Sequence, residues 1–113
     1  MDKEEILIKA GKEYFYSGND EFNKRRYNSA VVLYFKALIS FSDLYVFQET
    51  GDTPSSHNDR FKITKERFPE VYNLLDKDFP FYQSSYVQIM SKELVELIKD
   101  DAKIMAEKTK TKL

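Results

Sequence analysis

The only histidine of this 113-residue chain, His57, sits in its densest polar run, Ser56-His57-Asn58-Asp59-Arg60. If a helix starts there, its free N–H groups can hold an anion, and His57 and Arg60 add positive charge suited to a phosphate. The same residues also serve a simpler end. Ser56 can cap the helix, Asp59 can complement its dipole, and Arg60 can pair with a neighbouring acid. A second polar set lies at Lys36, Ser40 and Asp43. Their spacing puts them on one face of a helix. If that face is buried, Lys36 and Asp43 must pair, because an unpaired buried charge costs several kcal/mol. The set then forms a polar groove for a nucleotide or a partner loop. On a solvated helix edge it forms none. These six residues are the candidate ligand site.

Other chemistries find little support. No cysteine is present, and a single histidine cannot build a His-based metal cluster. No metal or cofactor is implied. Neither a nucleophile–base pair nor a glycine-rich phosphate loop stands out. Lys24-Arg25-Arg26 forms a short basic run, but the net charge is −1 and nucleic acid calls for a wider basic surface. Phe79, Phe81, Tyr82 and Tyr86 could stack on bases, yet their helical spacing suits a core or a dimer interface.

The element that must position these residues is the apolar stretch 28–49, NSAVVLYFKALISFSDLYVFQE. Its apolar residues are too many for a single stripe, which marks a helix in the middle of a bundle. Lys36 and Asp43 inside it argue against a membrane span. Helix over 28–49 implies a rod about 33 Å long. Its cap is expected at Asn28 or Ser29, and its end at Gly51, where a left-handed residue fits. Ile6, Leu7, Ala10 and Tyr14 predict a helix over 2–22, with a possible break at Ser17–Asp20. A short link makes 2–22 and 28–49 antiparallel neighbours. Further helices are predicted over 57–67 with a cap at Ser55 or Ser56, over 69–76 with Pro69 in its first turn, and over 79–90. The last, capped by Ser91, runs from Lys92 to about Thr109 and leaves a frayed tail over 108–113. The expected fold is a single all-α, up-and-down helical bundle over 1–113, in a cytoplasmic protein without a signal peptide. Seventeen Tyr and Phe residues are more aromatic surface than a small bundle easily hides, which suggests a homodimer.

Two family resemblances begin at the same residues. Gly18-Asn19, Phe22, Tyr27, Ala30, Tyr34, Ala37 and Leu38 follow the spacing of a tetratricopeptide repeat. That likeness covers about 30 residues, one unit where a solenoid needs several. It allows a repeat-like scaffold for a peptide. The other covers most of the chain. Arg26-Tyr27-Asn28-Ser29-Ala30, a long helix with Tyr34 and Ala37-Leu38, then Gly51, Pro54 and Ser56-His57 together resemble the HEPN superfamily (higher eukaryotes and prokaryotes nucleotide-binding domain). The resemblance implies a small helical bundle, often dimeric, that docks a nucleotidyltransferase-like protein or a nucleotide. Some members of that superfamily are ribonucleases, with an arginine four to six residues before a histidine. Here Arg25 and Arg26 precede His57 by 32 and 31 residues, and Arg60 and Arg67 follow it. The departure points to a non-catalytic binding subunit, with a ribonuclease of divergent site as the remaining reading.

Overall fold

The computed structural model describes residues 1–113. It contains five helices and no strand: α1 Lys3–Asn23, α2 Tyr27–Thr50, α3 His57–Arg67, α4 Pro69–Ser84 and α5 Lys92–Lys108. α2 is the spine. Its residues Val31, Tyr34, Phe35, Leu38, Phe41 and Leu44 are all buried. Each such side chain stabilises the fold by about 1.5–3 kcal/mol relative to exposure. By length and composition α2 could cross a membrane, but 67% of its apolar window is covered by the rest of the bundle. Val71 and Leu75 of α4 and Val95, Ile98 and Met105 of α5 complete the core around it.

α1 and α2 are antiparallel, as a short link requires. Gly11 lies under the ring of Phe41, Gly18 lies under Tyr34, and Phe22 meets Tyr27, so one number falls as the other rises. The possible break at Ser17–Asp20 does not occur. α1 runs straight through it, and both glycines are there for close approach. A Cβ at Gly11 would sit 2.5 Å from the Phe41 ring, and one at Gly18 would sit 2.7 Å from the Tyr34 ring. Tyr34 then reaches across to donate to Asn19 Oδ1 at 2.5 Å. Burial pushes the Tyr34 hydroxyl up to about 12.

Three other expectations are corrected. Neither Asn28 nor Ser29 caps α2. Arg26 holds that position without a side-chain cap, and Asn28 instead bonds the segment after α4. Its Nδ2 donates to the carbonyls of Ser85 and Gln88 at 2.8 and 2.7 Å, and its Oδ1 accepts from Met90 N–H at 2.9 Å. Next, 69–76 and 79–90 are not two helices. α4 is continuous from Pro69 to Ser84 with Pro80 inside it. The ring of Pro80 removes one amide donor, and the carbonyl it would have met belongs to solvent-exposed Asp76. Residues 86–90 therefore lie outside the helix, in a connection pinned by Asn28. Finally, the tail expected to fray over 108–113 makes contacts at Thr109 and Thr111. Thr109 is buried, its carbonyl accepts from Gln48 Nε2 at 3.1 Å, and Thr111 N–H donates to Ala106 O at 2.9 Å.

The other boundaries follow local chemistry. Ser56 and Ser91 accept from Asp59 N–H and Leu94 N–H as caps of α3 and α5. Gly51 ends α2 at φ 82°, where residues with a Cβ are disfavoured.

Candidate functional site

The two polar sets meet in the folded chain. Asp43 is a buried carboxylate near the end of α2, and Arg60 reaches it from the first turn of α3. Arg60 Nε donates to Asp43 Oδ1 at 2.7 Å and Nη2 to Oδ2 at 2.9 Å. Both side chains are only 12% exposed. A planar guanidinium matches a carboxylate through two parallel bonds, and this geometry makes such pairs strong and directional. The third nitrogen, Nη1, lies 2.8 Å from His57 Nδ1. Arginine can only donate, so in this contact His57 Nδ1 is the acceptor. The ring therefore has no carboxylate to orient it as a base. Its exposed Nε2 can donate to a ligand.

Lys36 and Ser40 do not join this group. Lys36 is exposed and stands 5.9 Å from the centre of the Tyr14 ring on α1. Ser40 is buried in α2. The expected Lys36–Asp43 pairing is replaced by Arg60–Asp43, because α3 sets the planar guanidinium directly on the carboxylate, while Lys36 lies two helical turns, about 10 Å, away along α2. Ser56 is used as the cap of α3. The basic turn Lys24–Arg26 is solvated, with one loose contact from Arg26 to Glu21 at 3.7 Å.

An aromatic band continues from this polar cluster. His57 lies 6.2 Å from Phe79, and Phe79 meets Phe61 at 5.5 Å. Phe35 stacks on Tyr82 at 4.8 Å, and Tyr82 meets Tyr86 edge-on at 5.7 Å. The Tyr82 and Tyr86 hydroxyls are 3.0 Å apart, and that bond raises the Tyr82 hydroxyl above its usual value. Most of these rings are spent on one another. Among all the aromatics only Tyr16 and Tyr86 are strongly exposed, so the bundle hides its aromatic surface better than the count suggested. The band ends in an open apolar segment. Tyr86, Val87 and Ile89 are 72%, 81% and 92% exposed, and the three bonds from Asn28 fix the backbone that carries them.

A second polar group has no counterpart in the sequence reading. Asp78 of α4 is fully buried and Asp101 of α5 nearly so. Both oxygens of Asp78 and Oδ2 of Asp101 are buried without a hydrogen-bond partner. Lys77 Nζ approaches Asp101 Oδ2 to 2.9 Å, though off the line of a good hydrogen bond. Burial first, and then the neighbouring Asp101 carboxyl, push the Asp78 carboxyl from 3.8 to about 8, against the opposing pull of Lys77. At neutral pH the Asp78 carboxyl thus keeps its proton. The signal was present: Val71, Leu75, Asp78 and Tyr82 recur at helical steps along one face. Starting a new helix at residue 79 hid it. Nowhere in the molecule do three or more His, Cys, Asp or Glu side chains gather as a metal site.

The sequence matches no protein-family model and no curated protein.

Proposed function

We propose that the protein is a non-catalytic, HEPN-like binding subunit of the cytoplasm that docks a nucleotidyltransferase-like partner. The observation that carries this reading is the fixed apolar segment Tyr86–Ile89, which leaves large side chains in water on a backbone that is already ordered. A preordered surface loses less entropy on binding. The Asp43–Arg60–His57 cluster supports the same reading. Its guanidinium is committed to its own carboxylate and imidazole, so a nucleotide phosphate has to compete for it. A protein partner needs only the exposed His57 edge and the aromatic band. Co-expression with a nucleotidyltransferase-like protein tests the proposal. A stable complex that weakens by at least tenfold in Val87→Ser and Ile89→Ser supports it. Absence of any complex, together with ATP binding that shifts the His57 ring resonances, replaces it with the nucleotide reading.

A further inference from the structure

α1 ends in a tight turn of the kind that glycine usually closes. Arg26 N–H donates back to Glu21 O at 2.9 Å and Arg25 N–H to Phe22 O at 3.0 Å, which sets Arg25 at φ 59°. Glycine is the common residue at that position, because a Cβ is disfavoured there. Lys110 ends α5 in the same conformation, so the backbone alone marks no site. What distinguishes Arg25 is its surroundings. Lys24, Arg25 and Arg26 are all exposed, and the loose contact of Arg26 with Glu21 is the single ion pair among the three. Near them runs the 85–90 connection, which Asn28 of α2 holds by three bonds. Between turn and connection opens a depression of about 320 Å³, with Arg25 and Arg26 on one side and Ile89 and Met90 on the other. No acidic residue lines it. A chain of net charge −1 thus sets free cations beside Ile89, its most exposed large apolar side chain.

We propose that this end of the bundle receives an acidic segment bearing a large apolar side chain. Its carboxylates meet Arg25 and Arg26, and its apolar side chain enters the depression against Ile89 and Met90. The inference rests on the docking reading above and names the chemistry of the element that docks. Charge complementarity selects an acid, and a guanidinium takes a carboxylate in two parallel bonds. A concave space beside a preordered aliphatic segment suits an inserted side chain better than a flat anionic bilayer. A nucleic-acid strand would use the cations and leave Val87 and Ile89 in water, because aliphatic side chains offer bases no stacking face. The arginine at position 25 then has a purpose: glycine would close the turn with less strain, but it would carry no charge.

Amide NMR titration of the full chain with the acetylated and amidated peptide Glu-Glu-Leu-Phe-Glu-Glu tests this chemistry. Binding is expected below about 1 mM at low salt, with shifts centred on residues 25–29 and on Ile89 and Met90. High salt should weaken it. The charge-reversed peptide Lys-Lys-Leu-Phe-Lys-Lys should bind at least about tenfold more weakly. Arg25→Gly should cost about two- to fivefold in affinity, while its melting temperature stays level or rises, which separates lost charge from lost fold. Ile89→Ser should cost about tenfold. No binding, equal affinity for the two peptides, an Arg25→Gly variant that binds as well as the parent, or preference for vesicles of equimolar phosphatidylserine and phosphatidylcholine overturns the inference. On co-expression, a nucleotidyltransferase-like complex that is insensitive to Arg25→Glu leaves docking intact and removes the acidic segment. Peptide binding as expected without any such complex removes that partner and keeps the acidic segment.

Discussion

Replacing Asp78 by asparagine should change how stability depends on pH. Asp78 is fully buried on α4 beside Asp101 of α5, and its carboxyl is pushed from 3.8 to about 8. The folded protein therefore holds a proton that the unfolded chain releases above about pH 4. Stability then falls as pH rises from about 4 to about 8, by about 1.4 kcal/mol per unit from this group. Below that window both states are protonated, and above it both are ionised, so the slope vanishes on either side. Asparagine is neutral throughout and can donate to Asp101. Between pH 5 and pH 7 the wild type should lose about 3 kcal/mol that Asp78→Asn keeps. The assay is urea unfolding followed by circular dichroism at pH 5, 6 and 7. The difference between the two proteins is the quantity to read, because carboxylates away from this pair titrate equally in both. Parallel curves with a constant offset would refute the retained proton on Asp78.

Asp43→Ala strands the mostly buried Arg60 guanidinium and should cost about 3–5 kcal/mol, whereas His57→Ala at the exposed edge should change stability by less than about 0.5 kcal/mol. Thermal melts of the two variants separate these values. Gly18→Ala sets two effects against each other. Helix propensity favours alanine by about 1 kcal/mol, while the new Cβ would press to 2.7 Å of the Tyr34 ring at a cost of about 1–3 kcal/mol. Denaturant unfolding should show a net loss, and a gain would mean the ring moves aside freely. Asn28→Ala removes three bonds to the 85–90 connection. Hydrogen exchange at Met90 N–H should quicken while the middle of α2 stays protected, and unchanged exchange at Met90 would show that other contacts hold the segment.

Pattern and local chemistry made much of this fold readable. The apolar crowding of 28–49 demanded a spine covered on all sides, and α2 is that spine. Ser56, Ser91 and Gly51 marked helix ends because caps and a left-handed stop act on neighbouring backbone atoms alone. The errors arose where a local signal had a distant purpose. Gly18 looked like a break because its value lies in the Tyr34 ring above it. Asn28 looked like a cap because its true partners are nearly 60 residues away. Pro80 looked like a start because only packing along α4 shows that the helix survives it. The candidate site divides in the same way. Its residue types were visible in the sequence, and Asp43 and Arg60 were singled out there in separate sets.

The sequence by itself determined an all-helical chain with one central helix and the chemistry available at each position. Helical period and capping depend on residues a few steps apart, so they can be read from the string. Only the tertiary structure decided that Arg60 rather than Lys36 meets Asp43, and that Asp78 and Asp101 are buried together. Those pairings depend on how helices turn toward one another, and a rotation of one helix by a single residue, about 100°, would have chosen different partners.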